Sequence, residues 1–237
     1  MKKIITLWFS CIVIIACNNQ NSQKQKKDVL KDTEGFVLKG TLDTYLSDKV
    51  YLNKIIENQI FPIDSAIIKN NLFTFRGAVE YPERFALTFK NYSSSALLII
   101  ENTNFQISLI ANQINEPTIT GSALNAELNE YELASKRIFK KIDFLFPQFQ
   151  KARLENDADK LFDIGNEMKE IESEFVDYSY KFIKDNRNSF VAAMVLHDQL
   201  KTAKADTLRI VQTYQMLSEE VKESPAAQNI KLALNLH

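Results

Sequence analysis

The hydrophobic period of this chain changes once, at Gly121, and that switch decides the fold class. From Gly35 to Gly121 the period is two. Phe36, Leu38, Gly40 and Leu42 alternate with polar partners, Val50 and Leu52 begin a second run, and Phe73 and Phe75 alternate with Thr74 and Arg76. A period of two buries one face of a strand. Further short runs lie at Phe85–Phe89, Ala96–Ile100, Phe105–Ile110 and Thr118–Thr120. Ile63–Lys69 and Leu72–Val79 flank Asn70-Asn71. Asparagine tolerates the positive φ of a tight two-residue turn, so a β-hairpin is expected here. About eight short strands with turns between them predict an antiparallel β-sandwich or open barrel over 35–121.

After Gly121 the period is helical. Ser122 is a candidate N-cap. Leu124, Leu128, Tyr131, Ser135, Ile138, Ile142, Leu145 and Phe149 recur at alternating spacings of four and three. Leu161, Ile164, Met168, Ile171, Phe175, Tyr178 and Phe182 do the same after Asp157. Two adjacent heptad runs predict an antiparallel helical hairpin. Pro147 is expected to kink the first helix or end it early. Three shorter helices are expected at about 189–200, 206–222 and 226–236, the last with Pro225 in its first turn. The fold class is therefore α+β, with the helical region at 122–237.

The first 17 residues bear on location. Lys2 and Lys3 precede an uncharged apolar run, Ile4–Ala16. It is short for a membrane span, which needs about 20 apolar residues, and suits the core of a signal peptide. Ile14, Ile15, Ala16 and Cys17 read as a lipobox, the site where a bacterial lipoprotein is cleaved and acylated. Residues 1–16 are thus expected to be a signal peptide, with Cys17 the lipidated residue. Residues 17–34 are expected to be a flexible tether, because Asn18–Lys31 is polar and without apolar period. Two or more acyl chains anchor a protein stably, so the membrane is an expected partner. Asn18, Asn19 and Gln20 include neither an inner-membrane retention aspartate nor an acidic export tag. This points to an outer membrane, on its periplasmic side.

Composition excludes more than it suggests. Removing Lys2 and Lys3 takes the formal charge from −1 to −3, the wrong balance for a nucleic-acid binder. Hydrophobic residues make up 45%, enough for a real core. The only cysteines are Cys11 and Cys17. Beyond Cys17 there is no thiol, so the body can form neither a disulfide nor a CxxC redox pair.

The strand region carries short motifs: Phe36-x-Leu38-x-Gly40, Asp64-Ser65, and Asn71-x-Phe73-x-Phe75-x-Gly77 with Pro82 after it. Ile100-Glu101-Asn102 then precedes Phe105-x-Ile107, and Thr120-Gly121-Ser122 leads to Asn125. Together they resemble the domain of unknown function 4369, found at the N-terminus of Bacteroidota envelope lipoproteins. The resemblance implies that a thioredoxin-like domain of the thiol-disulfide or peroxiredoxin-like type often follows. The sequence ends at His237, where such a domain is expected to begin, so no catalytic residue carries over.

No chemistry-bearing constellation stands out. Asp64-Ser65 lacks an adjacent base, and the only histidines are His197 and His237. Asp163, Glu167, Glu170, Glu174 and Asp177 form an acidic stripe beside the apolar seam, opposite Arg137 and Lys141. A di-iron bundle would need Glu-x-x-His pairs facing inward, so a solvated face with interhelical ion pairs is expected. His197, in an apolar helix, is expected to be structural. No catalytic, cofactor-binding or metal-binding residue is assigned. The expected function is a non-catalytic envelope lipoprotein acting as a binding or interaction module of unassigned ligand, with an envelope protein or peptide as a candidate partner, without a cofactor and without nucleic acid. The alternative is an accessory part or relic of a thiol-disulfide oxidoreductase.

Overall fold

The computed structural model describes residues 35–57, 59–203 and 205–236. The expected signal peptide, Cys17 and the tether lie outside the described residues. Among the described residues eight strands form two four-stranded sheets. These are β1 (Phe36–Leu42), β2 (Lys49–Ile56), β3 (Gln59–Ile67), β4 (Leu72–Gly77), β5 (Glu83–Phe89), β6 (Ala96–Ile100), β7 (Asn104–Leu109) and β8 (Thr118–Thr120). The first sheet runs β4-β1-β7-β8 and the second β3-β2-β5-β6. All pairs are antiparallel except β1 with β7. The β region is a sandwich of two separate sheets, not a closed barrel.

The inner faces of both sheets share one core, which includes Leu38, Phe75 and Ile107 from the first and Val50, Leu87 and Leu98 from the second. The motifs explain themselves in the β1–β4 register. Phe36 lies opposite Gly77, Leu38 opposite Phe75, and Gly40 opposite Phe73. Each glycine therefore faces a phenylalanine on the neighbouring strand. The Phe73 ring covers Gly40 so closely that a Cβ there would lie 1.9 Å from its Cζ. The ring takes the space that a side chain on β1 would have filled.

Asn70 and Asn71 both have positive φ, as the sequence predicts, at +51° and +62°. The expected hairpin ladder does not follow. Lys69 and Leu72 form a single bridge, after which β3 and β4 enter different sheets. The turn is a corner of the sandwich. The hairpin partner of β3 is β2, with Ile56 opposite Gln59, so β3 starts earlier than expected. β3 is an edge strand, which accommodates Pro62 because one side of an edge needs no ladder donor. A register shift opposite Leu52 and Asn53 leaves Ile63 unpaired as a bulge.

Among the described residues six α-helices follow: α1 (Ala123–Glu155), α2 (Ala158–Asp185), α3 (Phe190–Leu200), α4 (Thr207–Met216), α5 (Glu219–Lys222) and α6 (Pro225–Ala233). Gly121, at φ +86°, turns the chain from β8 into α1. Helices α1 and α2 form the expected antiparallel hairpin. Asn156 ends α1 in the left-handed conformation at φ +53°, and the Asp157 side chain caps α2 by accepting the Lys160 N–H. Of the two outcomes expected at Pro147, the early end does not occur, and α1 continues to Glu155. The seam resumes beyond the proline with Phe149 and the fully buried Ala152. Apolar burial on both sides offsets the roughly 3 kcal/mol that an interior proline costs. The single helix expected at 206–222 is two, because Leu217 is extended and Ser218 caps α5.

Helix α3 is buried from Val191 through Leu196 and forms the centre of a second core. That core takes Tyr131 from α1, Ile183 from α2, Ile210 from α4, Ile230 from α6 and Ile99 from β6. The distal part of the α1–α2 hairpin has a small core of its own, built on Leu145, Ile164 and Ile171. Among the described residues no helix is long and apolar enough to cross a membrane.

Candidate functional site

The fold employs the polar residues of the motifs structurally. Asn125, in the first turn of α1, is buried. Its Oδ1 accepts the Ile99 N–H at 2.8 Å and its Nδ2 donates to the Ile99 carbonyl at 2.7 Å. One carboxamide thus satisfies a peptide edge of β6 that no strand pairs and ties the helices to the second sheet. The Ser122 hydroxyl donates to Glu101 and accepts the Asn125 N–H at 3.1 Å as the N-cap of α1. Glu101 also accepts the Leu124 N–H at 3.2 Å. Asn102 repeats the device on Val79, accepting its N–H at 2.9 Å and donating to its carbonyl at 2.7 Å.

The residues weighed for catalysis are dispersed. Asp64 and Ser65 lie on the exposed strand β3, where Asp64 Oδ1 accepts the Ser65 N–H at 2.7 Å. Among the described residues no hydrogen bond links Ser65 to a histidine. His197 lies in α3, where burial, then the positive charge of Lys201, holds its pKa below the ordinary imidazole range. Its neighbour Asp198 accepts a 2.6 Å hydrogen bond from Arg84 of β5. Among the described residues no group of three or more His, Cys, Asp or Glu side chains is arranged to hold a metal ion.

The acidic stripe of α2 lines a groove of about 460 Å³ on one side of the arm, with Glu167, Glu170 and Glu174 facing Lys141, Phe144 and Gln148 of α1. Lys141 pairs with Glu174. Asp177 pairs with Arg209 of α4 at 2.9 Å, and the Arg209 guanidinium sits 3.9 Å over the Tyr180 ring. At the base of the arm, Tyr131 stacks on Tyr178 at 5.5 Å and reaches the Ser179 hydroxyl at 2.9 Å.

The distal half of the arm is unusual in the apolar surface that it shows to water. Phe144 is 70% exposed, Leu154 80% and Phe162 68%, with Phe146 also exposed. Gly165 of α2 lies nearby in sequence, and a Cβ there would meet nothing within 4 Å. These side chains lie off the heptad seam, and phenylalanines off the seam were the signal that the sequence offered for them. The edge strand β3 also exposes Ile60, Phe61, Ile63 and Ile67, but Pro62 and the bulge at Ile63 blunt it as a pairing edge.

The outer face of the first sheet is the second open surface. Its cross-strand rows read Arg76–Val37–Asn104 and Thr74–Lys39–Gln106–Thr120, followed by Leu72–Thr41–Ser108–Thr118. The sheet aromatics Phe36, Phe73, Phe75 and Phe105 all point the other way, into the core.

Residues 36–128 match the family model described as Domain of unknown function (DUF4369). The match runs from the start of β1 into the second turn of α1. No curated protein and no solved structure matches the chain.

Proposed function

We propose that this chain, whose residues 36–128 form a DUF4369 domain, is a non-catalytic interaction module of the cell envelope. Acyl groups on Cys17 hold it to a membrane, and the helical arm engages a protein or peptide partner. The observation that carries this reading is the apolar surface of the distal arm, where Phe144, Leu154 and Phe162 are left in water. An apolar surface of this kind, left open to water, marks a site that a partner covers. The lipobox at Ile14–Cys17 supports the anchor, and Asn18 supports an outer-membrane, periplasm-facing location.

Two measurements test the proposal on the full chain in its native envelope. Mass spectrometry should show a lipid-modified Cys17 as the first residue, and Cys17→Ser should leave unprocessed precursor. A photo-crosslinking side chain at Phe144 or Phe162 should give the same discrete adduct, which a probe at the exposed Glu219 does not give. Absence of an arm-specific adduct overturns the interaction reading. A mature chain that retains residues before Cys17 overturns the anchor.

A further inference from the structure

We infer that the uncovered face of the first sheet is a binding site for an acidic oligosaccharide. This face is separate from the helical hairpin. The outer face of the second sheet meets the helices through Arg84 and Ile99, whereas the first sheet leaves Lys39, Arg76, Asn104 and Gln106 exposed on its outer side. That face carries a shallow groove of about 320 Å³ lined by Val37, Lys39, Arg76, Asn104, Gln106 and Thr120, among others.

Its chemistry is one-sided. Arg76 pairs with Val37, and Lys39 lies two residues further along β1. The two residues are therefore diagonal cross-strand neighbours, whose Cβ atoms stand about 7–8 Å apart or somewhat less. None of the cross-strand rows of this face contains a carboxylate, although acidic residues outnumber basic ones in the chain. Neither Lys39 nor Arg76 has an ion-pair partner among the described residues. Two like charges this close repel each other, and an anionic group between them removes the repulsion. An Arg guanidinium also offers a fork of donors that matches a carboxylate or a sulfate. Asn104, Gln106 and Thr120 continue the groove with amide and hydroxyl groups that both donate and accept. Sugar hydroxyls require both capacities, and a bare anion requires only donors. The combination fits a polyhydroxylated ligand bearing negative charge.

The test is calorimetric titration of the full chain with four probes: a short oligogalacturonide, a sulfated dextran oligomer, a neutral dextran oligomer and inorganic phosphate. At least one acidic oligomer should bind, more tightly than either the neutral oligomer or phosphate. Affinity should fall about tenfold in Arg76→Gln and Lys39→Gln, equivalent to about 1.4 kcal/mol, and should weaken with salt. Gln106→Ala should lower affinity and leave the salt dependence unchanged. All three side chains are exposed, so unaltered thermal melts should accompany these losses. Equal binding of the neutral oligomer, equal binding of phosphate, failure of both acidic oligomers, or indifference to Arg76→Gln and Lys39→Gln each overturns the inference.

Discussion

Gly40→Ala should be among the most damaging single-methyl additions in the β region. The added Cβ would lie 1.9 Å from Phe73 Cζ and 2.2 Å from both Cε atoms, where carbon atoms prefer about 3.5–4.0 Å. The ring must retreat by roughly 1.5–2 Å on that spacing. It has little room, since Phe73 is 3% exposed and packs edge-on against Phe75 at a centroid distance of 5.9 Å. Overpacking of this kind costs about 1–3 kcal/mol, and partial expulsion of the ring adds to it, so about 3 kcal/mol is expected. The small gain of Ala over Gly in a strand, about 0.5–1 kcal/mol, does not offset this. Urea unfolding followed by circular dichroism reads the effect as a midpoint about 1 M lower. The decisive measurement is a double-mutant cycle with Phe73→Leu, which shortens the obstructing side chain. In that background Gly40→Ala should cost less than about 1 kcal/mol, a coupling of about 2 kcal/mol. If the two substitutions add to within about 0.5 kcal/mol, the glycine–phenylalanine pairing is not what makes Gly40 necessary.

Three further outcomes are expected. Glu127 has a buried Oε1 without a hydrogen-bond partner among the described residues, and burial raises its pKa above the ordinary carboxyl value. Its contribution to stability is therefore full below the unfolded-state pKa and is lost as pH rises through the folded one. Glu127→Gln should raise the melting temperature at pH 7 and change it little near pH 4; a gain of equal size at both would show that ionisation is not the cause. Phe175, half-buried against the Phe139 ring at 4.8 Å, should cost about 2–3 kcal/mol as Phe175→Ala. The exposed Glu170 should cost about 0–1 kcal/mol as Glu170→Ala, and equal losses in chemical denaturation would mean that the wrong face of α2 carries the packing. Gly165→Ala should stabilise α2 by about 0.5–1 kcal/mol, since nothing occupies the added methyl's space; a lower melting temperature would contradict that open surface.

Local rules were legible wherever the decision was local. The positive φ of Asn70 and Asn71, the caps at Ser122 and Asp157, and the switch of period at Gly121 each depend on a few neighbouring residues. The alternation of Phe36, Leu38, Phe73 and Phe75 showed which face of each strand is apolar, because side chains in a strand must alternate. The seam from Leu128 to Phe149 and from Leu161 to Phe182 showed the helical hairpin for the same reason, with a different period. The sequence likewise placed Asn125 just after a helix start, without showing what it holds.

Pairing over long separations was decided only by the tertiary structure. The Asn70-Asn71 turn is compatible with a hairpin, yet β4 finds its ladder on β1 and β3 on β2, because backbone ladders and a shared core reward the sandwich more than a lone ribbon. Pro147 carries a local cost that burial of Leu145 and Ala152 overrides. Asn125 acquires its partner only when β6 presents Ile99 as an edge. The open surfaces belong to the same class. Exposure of Phe144 and Phe162, and of Lys39 beside Arg76, follows from what the rest of the chain leaves uncovered, which is a property of the assembled layers and not of any single stretch.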